Sequence, residues 1–465
     1  DALGRLAARR DERQVGIVLA QFTQDLGRVF AGGDVENLGS GAHFGMRIVV
    51  TANDRGDDGD VGDIGDVLDH LGRSGTFNVD NFKSLNNLSI NLQPMTVIVG
   101  NNATGKSSIL QAIDFVCGCV NDDFSVLLER RGWTVDNIRS KFIRSGTARI
   151  SFGVEVVLEE PVNTTLKWGM VLQPNVAKNQ LHLVSEEIVD LDTKETLVQY
   201  KASAGGRIKG DKGELSIMPN FVITSSCLKV IQHLHGVDSR LNRLVAFFDN
   251  SESFEMLAPD NMRLSSRGVV KNIGETGKNL PSFIRQMSAE QKNNFMSKLK
   301  RIMGARISDV SASVKGKPGW TLINVKEHYD TGDVEFSSKE ISDGILRVLA
   351  FIAISEIEPA NAIFLLDEVE NGINSDYAEA MIDVLSEIYE ESRHQLVLTT
   401  HSTVFLDYVK PEQIVLLYRD QNGSTRADNL FDSKEIRDKL EYMYPGEILL
   451  NMSQKEIADI FLKQN

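Results

Sequence analysis

The chain has 465 residues, 42% hydrophobic and 25% charged, with a net charge of −15. That balance suits a globular protein and excludes collagen-like, coiled-coil-dominated and wholly disordered chains. A whole-surface nucleic-acid coat would be basic and is excluded too, although a local basic groove is not. The longest apolar run, 345–354, is ten residues and contains Arg347, too short to cross a bilayer. No charged-then-apolar signal opens the chain. Cys117, Cys119 and Cys227 cannot all pair and lack zinc spacing, so reduced thiols in a cytoplasmic protein are expected.

Residues 1–75 differ from the rest. They hold 14 of the 37 glycines, eight arginines and no lysine. The stretch 56–68 is rich in Gly and Asp, but lacks the Glu that closes an EF-hand loop. A disordered or non-native leader is expected here, because Gly and Asp disfavour packed elements.

From Thr76 the pattern changes. Residues 77–82 and 88–92 alternate like strands. Thr96, Val97, Ile98 and Val99 form the β-branched run of a buried parallel strand. It leads into Gly100-Asn101-Asn102-Ala103-Thr104-Gly105-Lys106-Ser107, a G-x-x-x-x-G-K-S loop, and then Ser108 and a helical pattern. Gly100 and Gly105 let the loop curl so that backbone N–H groups, those of Asn101 and Asn102 among them, face phosphate oxygens. Lys106 reaches the β- and γ-phosphates and Ser107 offers a hydroxyl to Mg²⁺.

Residues 148–202 read as strands separated by turns, and 226–260 and 281–303 as mainly helical. No sustained heptad runs through them, so a long coiled-coil arm is excluded. Basic residues gather loosely between Arg285 and Lys317, including Lys292, Lys298, Lys300, Arg301 and Arg306. They fit either a DNA track or a solvated helix face.

Near residue 340 comes Ser342-Asp343-Gly344, a capped helix start. The apolar run 362–366 then ends in Asp367-Glu368, where Asp367 can serve Mg²⁺ and Glu368 can take a proton from water. A third strand, 395–398, ends before His401, on the ligand-binding edge of such a sheet.

In this order the four motifs resemble the ATP-binding-cassette ATPases: Walker A at 100–107, a signature loop at Ser342 to Gly344, Walker B with catalytic Glu at Asp367-Glu368, and switch His401. Within that class the chain resembles the RecF/SMC-like ATPases, especially short "AAA family" ATPases of bacterial DNA-repair and anti-phage operons. The matching stretches are Asn81-Phe82-Lys83-Ser84-Leu85, 277–284, 367–373 and 443–447. Ala103 stands for a usual glycine, Val369 for a common proline, and no Q-loop glutamine is evident; 141–148 occupy its place.

The resemblance implies an α/β P-loop NTPase of cassette type, with a mixed sheet, an antiparallel β-lobe and a short helical insertion. The implied division is an ATPase lobe with P-loop and β-lobe over 76–224, a mainly helical insertion with strands over 225–335, and a second ATPase lobe with signature, Walker B and switch His over 336–465. It implies an ATPase using ATP and Mg²⁺, dimerised so that the signature of one copy caps the nucleotide of the other. DNA is a possible partner, a membrane is not, and a separate effector such as a nuclease is expected. The 64 residues after His401 show no D-x-D pair, which sets the chain apart from the overcoming-lysogenization-defect (OLD) nucleases. An ATP-gated scaffold with little turnover and a transporter ATPase subunit are the rival readings.

Overall fold

Met95–Val99 is buried at all five positions, as a strand covered on both faces must be. In the computed structural model it lies inside a six-stranded sheet. The described residues are 46–48 and 77–461, apart from 144–147, 159–162, 218–222, 255–256, 315–317, 359–361, 392–393, 454–455 and 458. Across this sheet the order is Glu252–Ser253, Ile363–Leu366, Gln395–Thr399, Met95–Val99, Ile414–Arg419, Thr425–Asn429. The first five strands run parallel, and Thr425–Asn429 closes the sheet antiparallel.

Alternate side chains of the sheet feed two separate cores. Ile98, Leu365, Val397 and Leu417 pack with the helix Lys106–Gly118 and the β-lobe. Val97, Phe364, Leu398 and Leu416 pack with the helices Ala289–Met303, Asp343–Ile354 and Ala378–Glu390. The helices Lys106–Gly118 and Asp343–Ile354 therefore lie on opposite faces.

A nine-stranded antiparallel sheet forms the β-lobe. Its strands Ile150–Leu158, Thr164–Asn175, Gln180–Asp190 and Glu195–Lys201 agree with the sequence pattern. The hairpin Gly205–Gly210 and Gly213–Ile217 was not foreseen, because glycines leave no alternation to read. Met46–Ile48 pairs with Ile150–Leu158, so three residues of the expected leader join this sheet. The rest of 1–75, including the Gly/Asp stretch, lies outside the described residues.

The helical insertion also carries a small antiparallel sheet of Ser266–Arg267, Ile307–Val314, Trp320–Tyr329 and Gly332–Ser337. The longest described helix, Ala289–Met303, has 15 residues, so no coiled-coil arm occurs among the described residues. None of their helices is long and apolar enough to cross a membrane. All three cysteines are free and buried.

Among the described residues of the basic run, Lys292, Lys298, Arg301 and Arg306 are engaged in internal ion pairs. Lys298 meets Glu356 at 2.8 Å, Arg301 meets Glu387 at 2.5 Å and Arg306 meets Glu327 at 2.8 Å. These pairs favour a structural role over a DNA track.

On the edge strand beside Ile363–Leu366, burial pushes the Glu252 carboxyl up to about 7, against the Asn272 hydrogen bond; Asp114 and Glu275 add to the rise. The folded state thus keeps a proton that an unfolded Glu, near 4.3, releases. Stability from this group is full below about pH 4.3 and is lost as pH rises through about 7. Glu252→Gln should remove that slope and melt higher than wild type at pH 8, by on the order of 1–3 kcal/mol. Melting curves from pH 5 to 8 that run parallel for both proteins would refute this.

Candidate active site

The buried strand Met95–Val99 hands the chain to a loop with unusual backbone. Gly100, Ala103 and Gly105 have φ of 151°, 64° and 110°. A Cβ at Gly100 would lie 2.5 Å from the Leu417 carbonyl oxygen, and one at Gly105 2.6 Å from Thr425 Oγ1. Both positions therefore require glycine. Lys106 Nζ donates to the Gly100 and Asn101 carbonyls at 2.8 and 3.1 Å. Burial lowers its pKa, against the pull of Asp367, Glu368 and Glu370. Asn101, Asn102, Ala103 and Ser107 are exposed, while Ser108 is half-buried.

A second set of contacts braces the loop from the antiparallel side. Thr425 Oγ1 donates to the Thr104 carbonyl at 2.7 Å and lies 3.1 Å from Ser84 Oγ. Arg419 donates Nε and Nη2 to the Ala103 carbonyl at 3.0 and 2.6 Å. Neither Arg419 nor Thr425 belongs to a motif, so sequence reasoning missed them. Both stand more than 300 residues from the loop in sequence, and only the strand order brings them near.

Ser107 Oγ donates to Asp367 Oδ2 at 2.9 Å across 260 residues. Asp367 follows Ile363–Leu366, whose Leu366 pairs with Leu398. That register sets Thr399 beside the acids. Its hydroxyl donates to Asp367 Oδ1 and accepts the Glu368 N–H at 2.8 Å. Glu368 has φ 47°, a left-handed backbone for a side chain that remains 51% exposed. Val369, buried in the core, donates its N–H to the Thr399 carbonyl at 3.2 Å. A proline here could not make that bond, which accounts for the departure noted in the sequence.

His401 Nε2 lies 4.0 Å from Glu368 Oε1. The segment carrying it is tied down by Glu370, which accepts the Thr400 hydroxyl at 2.7 Å and the His401 N–H at 2.6 Å. Glu370 was visible in the sequence but was given no role.

The structure thus brings together the P-loop, Asp367, Glu368 and His401. Ser342 and Gly344 stand apart from them. Ser342 caps Asp343–Ile354 through the Ile345 N–H at 3.4 Å. A Cβ at Gly344 would meet the Gly372 carbonyl at 2.5 Å. Neither residue hydrogen-bonds to its own P-loop. They line a cleft of about 600 Å³ with Arg306, Glu327, Gly372 and Tyr377. Of the sequence stretch 141–148, residues 144–147 lie outside the described residues.

Removing the Glu370 carboxylate strands two donors at the His401 segment. In the ATPase that the sequence motifs imply, Glu370→Ala should therefore reduce ATP turnover at least tenfold, about 1.4 kcal/mol in the barrier. Steady-state rates equal to wild type would show that His401 needs no such tether.

Two protein-family profiles match the chain. "AAA ATPase domain" covers 76–168, and "AAA domain, putative AbiEii toxin, Type IV TA system" covers 228–407. An "OLD nuclease" of Thermus scotoductus is 22% identical over 357 residues, 74% of this chain and 62% of that protein. An "ATP/GTP phosphatase" of Helicobacter pylori is 21% identical over 341 residues, 71% of this chain and 85% of that protein. The chain thus spans less than two thirds of the Thermus protein. The sequence sets the chain apart from OLD nucleases by the absence of a D-x-D pair after His401; the alignment shows a relation to one such protein over 62% of its length and does not bear on that pair. Among solved structures, an SMC head bound to the C-winged helix domain of ScpA superposes with a TM-score of 0.41 at 14% identity, covering 76% of this chain and 96% of that one. The SMC head domain from Thermotoga maritima gives 0.38 at 13%, covering 76% and 97%. The two AAA profiles lie over the P-loop and over the Asp-Glu strand, and the structure joins these on one sheet edge, so the chain is similar to AAA-type ATPase domains.

Proposed function

We propose that this chain binds and hydrolyses ATP with Mg²⁺, closing as a homodimer or higher homo-oligomer around the nucleotide. In this reading it acts in DNA repair or anti-phage defence and governs a separate effector such as a nuclease. The observation that carries the catalytic half is the 2.9 Å contact between Ser107 and Asp367. It joins a phosphate-binding loop to a strand-end acid in one site.

Each residue then has a task. Backbone N–H groups of the loop and the amino end of Lys106–Gly118 receive phosphate. Lys106 exchanges its two carbonyl partners for phosphate oxygens. Ser107 and Asp367 supply the hard oxygen donors that suit Mg²⁺, an ion that keeps water and phosphate in its remaining positions. Bound there, Mg²⁺ would neutralise charge on the β- and γ-phosphates. The fit is also electrostatic: three carboxylates, of Asp367, Glu368 and Glu370, act on one lysine, a balance that repels a bare triphosphate. Glu368 is exposed enough to accept a proton from water, and His401 is close enough to share that region.

The dimer rests on Ser342 and Gly344. Both occupy a helix start that makes no hydrogen bond to its own P-loop, and a helix start favours an anion. In this reading the anion is the γ-phosphate held by a second copy. The effector is argued from the company the chain keeps: its Thermus relative is named a nuclease, and only part of that protein is aligned.

Glu368→Gln should keep ATP but lose turnover by about 10²–10⁴-fold, the range for a positioned base. Light scattering of this variant with ATP should show at least a dimer, and adding Ser342→Arg should abolish it. A monomer under every condition would end the dimer reading, and wild-type turnover in Glu368→Gln would end the assignment of the base. The effector reading fails if the purified protein alone cuts DNA in a metal-dependent way.

A further inference from the structure

The P-loop accounts for the phosphates of a nucleotide and not for its base. Strand order limits where a base can lie. Asp367, Glu368 and His401 follow Ile363–Leu366 and Gln395–Thr399, on one side of the P-loop strand. They fix the terminal-phosphate end. A nucleotide lying across the loop with its terminal phosphate at that end would carry its base toward the other side, over Ile414–Arg419 and Thr425–Asn429.

On that side stands Phe142, 48% exposed. Single exposed apolar side chains are common, but this one is fixed to the loop. The Arg419 guanidinium lies 5.6 Å from the centroid of its ring, and the same Arg419 grips the Ala103 carbonyl through two hydrogen bonds. The Phe142 N–H donates to Ser140 Oγ at 3.3 Å. Gly423 closes the ring edge so tightly that a Cβ there would lie 2.8 Å from Phe142 Cε1. The ring is thus held at an edge and by a cation, with much of its surface open.

We propose that Phe142 is the platform on which the purine base of a bound nucleoside triphosphate stacks. The proposal rests on the ATP-site reading above and adds the base to it. A flat aromatic face presents no hydrogen-bond edge, so it holds adenine and guanine alike while giving nothing to bare phosphate. Arg419 makes the platform a part of the loop: the residue that sets the Ala103 carbonyl also sets the ring.

Titration calorimetry with the magnesium complexes of ATP, GTP and inorganic tripolyphosphate tests this. Phe142→Ala should weaken ATP and GTP by about 5- to 150-fold, the worth of one base–aromatic stack, and leave tripolyphosphate unchanged. Phe142→Trp should restore both nucleotides. Unchanged ATP affinity in Phe142→Ala, or an equal loss for all three ligands, overturns the proposal; the second outcome would make Phe142 only a support of the loop. Lys106→Ala keeps the two readings distinguishable, because it should lose all three ligands together. If it still binds tripolyphosphate like wild type, the P-loop reading fails, and the base platform with it.

Discussion

Leu366 lies opposite Leu398, and Thr399 opposite Ile98. The register of these three parallel strands is the constraint on which the site depends. It places Thr399 where one hydroxyl can donate to Asp367 and accept the Glu368 N–H. It also ends the P-loop strand level with both acids, within reach of Ser107. A slip of one residue would turn every side chain of a strand to the other face. The two cores forbid that slip. Val97 and Ile98, or Leu365 and Leu366, belong to different hydrophobic clusters of different shape. Packing on both faces thus fixes the polar geometry at the edge.

The P-loop, the Asp-Glu strand end and His401 were legible because their chemistry is local. Each is a short run in which residue type, spacing and flanking apolar strand all agree. What was illegible is made by distance. Arg419, Thr425 and Thr399 are unremarkable in sequence; they matter through bonds to residues 31 to 321 positions away. The ion pairs of the basic run 285–317 were hidden for the same reason, since Glu356, Glu387 and Glu327 reach it from other elements. Strands were expected in the insertion, but their bounds were not legible: Trp320–Tyr329 holds five buried residues in a row rather than an alternation.

Two histidines show how much environment decides. His394 is buried against Phe364, with ring centroids 4.3 Å apart, and burial pushes its pKa down to about 4. It is a neutral core residue at pH 7. His401, seven residues on, stands past the strand end beside Glu368. The strand Gln395–Thr399 separates them: one flanks its buried start, the other its ligand-facing end. A histidine's type says little until its place along a strand is known.

Strain marks the two ends of the same site, for different reasons. Glu368 and Ala103 both adopt the left-handed backbone, at φ 47° and 64°, which costs a non-glycine residue about 1–2 kcal/mol. Such a conformation persists only where surrounding contacts over-determine it. At Glu368 they come from both directions: Thr399 holds its N–H, and the Asn371 N–H donates to its carbonyl at 2.9 Å. Glycine would relieve the strain but would remove the carboxylate that faces His401. At Ala103 no such group is at stake. Its methyl group carries no function, and glycine would adopt the same backbone freely. What holds it is the Arg419 grip on its carbonyl. The strain at Glu368 therefore comes with its carboxylate, whereas that at Ala103 belongs to the clamp, and only the second could be relieved without losing an acid beside Asp367 and His401.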